Sequence, residues 1–164
     1  MAIKREFVRK HIGEFTVPVM TVELGEDMEV GLLFTIDKTT GLAMKADNTA
    51  WDSAEKPAVG VVPYSSLEGF GEAFQLTRKE VLKKGEVIDV YQFGILYADE
   101  IATACKSNPY QHIGKPVYLG TAGKLTLTAP TNGNKGAQLV GYVANTKTGA
   151  VRIMITDRGE KKVG

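Results

Sequence analysis

The sequence predicts a mainly-β domain, a compact β-barrel or β-tulip-like fold made of two related β-units with short connecting helices. Three observations lead to this prediction. Eighteen glycines against one tryptophan in 164 residues indicate many tight turns. Several segments alternate apolar and polar residues, which is typical of strands with one buried face. Finally, a pattern of strand, glycine turn, strand and Val-Gly strand occurs twice along the chain.

The composition excludes several classes of protein. Twenty Lys and Arg against nineteen Asp and Glu give a formal charge of +1, without the basic excess that phosphate-backbone binding requires. No apolar run approaches the ~20 residues that span a bilayer, and the first residues lack the apolar core of a signal peptide. A single cysteine, Cys105, excludes an intramolecular disulfide. We therefore expect a protein that folds in a reducing cytoplasm and binds neither nucleic acid nor membrane.

Residues 1–14 differ from the remainder of the chain. They contain four basic and two acidic residues, a net charge of +2, with a few apolar residues between them. We interpret them as an N-terminal arm, either a short amphipathic helix or a segment that orders on a partner, ahead of a β domain at 15–156 and a solvated tail at 157–164. The candidate partner-binding residues of the arm are Arg5, Phe7, Val8, Arg9, Lys10 and Ile12.

The domain begins with an apolar run at 17–24, which Pro18 places at a sheet edge or at the start of a strand. The first β-unit, residues 32–62, follows. It contains an apolar strand, a Thr-Thr-Gly turn at Gly41, an alternating strand, a polar loop and a closing Val-Gly-Val strand around Gly60.

Residues 117–143 repeat this order, with Gly123 in the turn and Gly141 in the closing strand. The two glycines of the first unit, Gly41 and Gly60, are nineteen residues apart, and those of the second are eighteen apart. Both turn glycines are expected at positive φ, which allows a hairpin to close. Both strand glycines are expected at bulges or where another part of the backbone comes close.

The connecting segments predict two short helices and two further strands. A capping box at 77–80 predicts a helix that ends at Gly85. Residues 86–97 are apolar on both faces and predict a central strand. Residues 99–106 predict a second helix, and 150–156 a closing strand with one apolar face.

We find no convergent set of reactive residues. Cys105 and His112 lie seven residues apart and could form a nucleophile and base, but an apolar helix face suits a small buried thiol better. His11 is far from His112, and neither has neighbours at metal-ligand spacing. The Gly-Lys pairs at 114–115 and 123–124 lack the phosphate-loop pattern. The sequence thus predicts no catalytic residues, no cofactor and no metal.

The two repeated segments resemble capsid decoration proteins of bacteriophages. The first is similar to the head-decoration (cement) protein of lambda-like phages, and the second to a wider family of phage decoration proteins. In the first unit the resemblance rests on Ile36-Asp37, the turn at 39–41, the strand at 42–46, Trp51 and residues 58–61. In the second it rests on residues 114–119, the Gly123 turn, residues 139–141 and the strand at 151–155.

This resemblance implies a non-enzymatic structural protein on the outer face of the virion capsid. It implies a homotrimer that is assembled in the host cytoplasm and binds the major capsid protein, without a cofactor. The chain departs from the lambda-like pattern in being longer and in carrying the charged insertion 78–86.

Two other functions are weighed against this one. Trp51 lies among Asp47, Asp52 and Glu55, which suits a small β-barrel module of a phage particle that binds carbohydrate or a receptor. The length also suits a trimeric β enzyme of nucleotide metabolism, but phosphate-binding and water-activating motifs are missing.

Overall fold

The computed structural model describes residues 20–48, 57–62, 81–130 and 137–155, together with the backbone of Glu160–Lys162. Over these residues the predicted mainly-β architecture is confirmed. The described strands are β1 (Thr21–Glu23), β2 (Met28–Glu29), β3 (Leu33–Ile36), β4 (Ala43–Lys45), β5 (Gly60–Val61), β6 (Val81–Leu82), β7 (Val87–Asp89), β8 (Phe93–Tyr97), β9 (Pro116–Leu119), β10 (Leu125–Thr126), β11 (Ala137–Asn145), β12 (Ala150–Met154) and β13 (Glu160–Lys162). The described helix α1 spans Asp99–Ala104, and 3₁₀ turns lie at Pro109–His112 and Thr121–Gly123.

The largest sheet has six antiparallel strands. Its order is β10-β9-β11-β12-β8, and β13 also pairs with β11. Alternate residues on these strands point to one buried face, as Val151 and Ile153 do on β12. This face contributes most of one hydrophobic core, which α1 also joins through Ile101.

A three-stranded sheet, in the order β4-β3-β5, lies between two cores. Leu33 on β3 packs into the core of the large sheet, whereas the next residue, Phe34, packs into a second core. Because successive strand residues point to opposite faces, this sheet is buried on both sides.

The second core is closed by a two-stranded ribbon. Residues 21–29 run antiparallel to residues 81–89, with β1 pairing β7 and β2 pairing β6. Val22, Met28 and Leu82 point inward from the ribbon to the Phe34 side of the central sheet. The described chain therefore has three layers: the ribbon, the central sheet and the large sheet.

Two parts of the structure share one connectivity. In the order β4-β3-β5 and in the order β10-β9-β11, the first strand in sequence lies in the middle and pairs antiparallel with the next two. Gly60 on β5 lies opposite Phe34, and Gly141 on β11 lies opposite Val117. The repeat seen in the sequence therefore corresponds to a repeated strand order.

The described strands do not close into the predicted barrel, because the large sheet ends at β10 on one side and at β8 on the other. The prediction of a single central strand at 86–97 is also wrong. It is divided into β7 in the ribbon and β8 at the edge of the large sheet. The segment is rich in apolar residues because it contributes to both cores. Ile88 packs into the second core, and Leu96 packs into the core of the large sheet.

The predictions for the connecting segments have mixed outcomes. The helix predicted at 99–106 is confirmed as α1, which ends at Ala104 with Cys105 as its C-cap. Residues 77–80 lie outside the described residues, but the predicted helix does not extend to Gly85, because Val81 and Leu82 form a strand that pairs with β2. Within the segment expected as a solvated tail, β13 pairs with Ala137–Leu139 of β11.

No described helix has both the length and the apolar composition needed to cross a membrane.

Candidate protein-interaction surface

Cys105 is a core residue in this structure. Its side chain is 1% exposed and packs in the core of the large sheet, at the end of α1. Burial raises the pKa of the thiol, and the positive charge of Lys115 only partly opposes this shift. The His112 ring faces the carbonyl oxygen of Ser107, at 3.3 Å from Nε2, and shares no hydrogen bond with the thiol. This geometry does not activate Cys105 as a nucleophile.

Metal-ligating side chains are dispersed over the part of the chain that the structure describes. No three His, Cys, Asp or Glu residues come together there. Trp51 and the six candidate residues of the N-terminal arm lie outside the described residues.

The two turn glycines both have positive φ, +72° at Gly41 and +76° at Gly123, but their surroundings differ. The Gly41 turn is held by Asp37, whose Oδ1 accepts hydrogen bonds from the backbone N–H groups of Thr39 and Thr40 at 2.7 and 3.2 Å. A methyl group added at Gly41 would enter open space. Gly123 instead donates a 2.6 Å hydrogen bond to the Ala46 carbonyl oxygen, so the turn of the second unit rests on the first.

The two strand glycines allow close packing. A Cβ atom at Gly60 would lie 2.8 Å from the Phe34 ring and from Val90. At Gly141 a Cβ atom would collide with the carbonyl oxygen of Arg152 on β12, and the register of β11 against β9 shifts just before this glycine. A bulge and a close backbone approach therefore coincide at Gly141, whereas side chains fill the space at Gly60.

The other face of the large sheet, which we call the outer face, carries large exposed side chains. Arg152 pairs in register with Tyr142 on one neighbouring strand and with Ile95 on the other. In the next row Met154 pairs with Phe93. Directly paired residues point to the same side of a sheet, so these five side chains form one surface. Tyr142, Phe93 and Met154 are 40%, 43% and 47% exposed.

The outer face has the composition that is typical of protein-interaction surfaces. Tyr, Phe, Met and Arg are the residue types that are enriched at protein interfaces. The guanidinium of Arg152 forms no ion pair or hydrogen bond with any other described residue. The surface thus offers apolar contact area around one cation whose donors are available to a carboxylate.

Sequence reasoning did not identify this surface. On β12 the sequence singles out only Arg152 as polar and does not distinguish the exposed Met154 from the buried Val151 and Ile153. The pairing of that strand with Phe93 on β8 joins residues about sixty positions apart in the chain, and no local pattern indicates it.

A scan against models of known protein families gives no match, and a search of curated proteins finds no significant similarity.

Proposed function

We propose that this chain is a structural capsid decoration (cement) protein of a bacteriophage. It binds the outer surface of the phage head and stabilises contacts between subunits of the major capsid protein. The observation that carries the proposal is the repeated arrangement of strand, positive-φ glycine turn, strand and glycine-containing third strand. These are the features on which the resemblance to phage decoration proteins depends.

We further propose that the domain consists of two related β-units in a β-tulip-like arrangement. Each unit has its first strand in the middle and a glycine in its third strand, at Gly60 and Gly141. Two unrelated segments would rarely share the strand order, the turn conformation and the spacing of the glycines.

The proposed role is non-enzymatic and needs no cofactor. The buried Cys105 supports it, because the one thiol of the chain contributes to packing. The exposed outer face also supports it, since a cement protein acts through surfaces that bind other proteins. In this proposal the protein is a homo-oligomer, with three copies favoured, on the outside of the virion.

The test is binding to capsids that lack the protein. Purified full chain is mixed with empty capsids assembled from the major capsid protein that is encoded beside its gene, and the capsids are sedimented. We expect saturable binding at a fixed number of copies per capsid and a higher temperature of capsid disruption. An unrelated protein of similar mass serves as the control.

Absence of saturable binding would contradict the proposal. The position of the gene is an independent check. A location between a scaffold or maturation protease gene and the major capsid gene agrees with decoration, whereas a location among tail-fibre genes favours the carbohydrate- or receptor-binding alternative.

A further inference from the structure

The ribbon has an exposed face of its own, which we call the ribbon face. Glu23 on β1 pairs with Val87 on β7, and Glu29 on β2 pairs with Val81 on β6. All four residues point away from the second core, and the two valines are 65% and 38% exposed. The Glu23 side chain has no hydrogen-bond or ion-pair partner among the described residues. This face therefore combines exposed apolar groups with carboxylates.

The ribbon face and the outer face are complementary in charge and similar in apolar character. One presents Glu23 and Glu29 beside valines, and the other presents Arg152 among Tyr142, Phe93 and Met154. The central sheet separates them, so one molecule cannot bring its own two faces together. Two copies can.

A contact of the outer face with itself is disfavoured. In a two-fold interface the same patch meets its copy, so the contact would contain two Arg152 guanidinium groups and no carboxylate from this patch. Two like charges in a desolvated contact without a carboxylate are destabilising.

We propose that copies of this chain associate head to tail, with the outer face of one protomer against the ribbon face of the next and Arg152 close to Glu23. Such a contact pairs the unpartnered cation with a carboxylate and removes exposed Val, Phe, Met and Tyr side chains from water. A head-to-tail contact uses two different patches, so it closes into a ring where the rotation between copies allows it and otherwise extends into an open chain.

This proposal does not depend on binding to a capsid. It rests on the proposed function only for the homo-oligomer, to which it assigns a contact. Self-association is measured on the purified full chain without capsids, so its failure would remove the homo-oligomer and leave capsid binding to be tested separately.

The experiment is a charge exchange followed by analytical ultracentrifugation over a concentration series. We expect the average mass of the wild-type chain to rise with concentration above that of one copy. Arg152→Glu and Glu23→Arg should each raise the dissociation constant at least tenfold. Because both residues are exposed, circular dichroism should show unchanged folding. The matched control is Lys147→Glu, an equal charge reversal in the exposed turn between β11 and β12.

Two restorations make the test specific. The double variant Arg152→Glu/Glu23→Arg exchanges the charges on both faces, so association should return. A mixture of the two single variants should also associate, because the changed outer face of one variant suits the changed ribbon face of the other. A monomeric wild-type chain, single variants that associate as strongly as wild type, or failure of both restorations would overturn the proposal.

Discussion

The side-chain amide of Gln138 forms two hydrogen bonds with the backbone of Ala58. Its Oε1 accepts from the Ala58 N–H at 2.8 Å, and its Nε2 donates to the Ala58 carbonyl oxygen at 2.9 Å. Gln138 is 1% exposed and lies eighty residues from Ala58. The amide thus provides the two hydrogen bonds that a neighbouring strand would otherwise form. It joins β11 of the second unit to the residues that lead into β5 of the first.

We expect Gln138→Glu to make stability depend on pH at this contact. At neutral pH a buried carboxylate faces the Ala58 carbonyl oxygen and cannot donate to it, which costs about 2–4 kcal/mol. Once protonated, the acid again has one donor and one acceptor, so much of the loss should be recovered at low pH. Urea unfolding at pH 7 and pH 4 measures this. Gln111→Glu, in the exposed 3₁₀ turn, is the control and should show no recovery. An equal loss for Gln138→Glu at both pH values would contradict the assigned hydrogen bonds.

The turn glycines provide a matched pair of substitutions. Gly41→Ala should cost about 1–2 kcal/mol, because a side chain is strained at φ of +72° but enters open space. Gly123→Ala carries the same strain and also places Cβ 2.5 Å from the carbonyl oxygen of Leu33. Backbone must then move and the hydrogen bond to Ala46 is weakened, so the total loss should be larger by at least ~1 kcal/mol. Denaturant unfolding of both variants tests the difference. Equal losses would show that the Gly123 turn does not press on the central sheet.

Local patterns in the sequence sufficed for several features of this fold. The Thr-x-Gly turns, the short helix α1 and the burial of Cys105 depend on residues that are close together in the chain. The repeat in the sequence corresponds to a strand order that occurs twice, in β4-β3-β5 and in β10-β9-β11.

Features that depend on distant pairing could not be predicted in the same way. Whether residues 86–97 form one strand or two is decided by their partners, Thr21–Glu23 for β7 and Ala150–Met154 for β8. The outer face depends on the same choice of partners. Its exposed Phe93 and Met154 are indistinguishable from core residues until their register is known.

Asp27 makes the stability of the ribbon depend on pH. Its carboxylate accepts hydrogen bonds from Lys83 Nζ and from the Lys84 backbone N–H, both at 2.9 Å. The hydrogen bond from Lys83 contributes most, and together the two bonds lower the pKa of Asp27 below its ordinary value. A carboxyl group with a lowered folded-state pKa stabilises the fold above its unfolded pKa, and this contribution disappears as pH falls through the folded value.

We therefore expect Asp27→Asn to lower the denaturation midpoint at pH 7 and to approach wild type as the carboxyl group becomes protonated at acidic pH. Because the carboxylate is solvent-exposed, the effect should be small. Lys83→Met should reproduce part of the loss at pH 7, and the double variant Asp27→Asn/Lys83→Met should lose less than the sum of the two single variants. A difference between Asp27→Asn and wild type that stays constant as the pH falls from 7 into the acidic range would be inconsistent with this role.

Replacement of Cys105 should affect stability and not binding. Cys105→Ala removes one buried atom and should cost about 1 kcal/mol, close to the loss of a buried methyl group. Capsid binding and self-association should stay at wild-type values. Because the thiol is buried and its pKa is raised, the native protein should react with a thiol reagent far more slowly than the unfolded chain does. Loss of binding by Cys105→Ala without unfolding would require a functional role for this thiol.

The N-terminal arm is the last element for which we predict a measurable role. Its apolar residues Phe7, Val8 and Ile12 are too few to form a core, yet their exposure to water is unfavourable. We propose that they dock on the capsid or on a neighbouring subunit, while the basic residues favour encounter with acidic side chains. Deletion of residues 1–14 should leave folding and oligomeric state unchanged and weaken capsid association at least tenfold, or about 1.4 kcal/mol. The measurement is capsid co-sedimentation over a series of salt concentrations, with the full chain as reference. If the shortened protein binds as tightly as the full chain at every salt concentration, the arm has no part in binding.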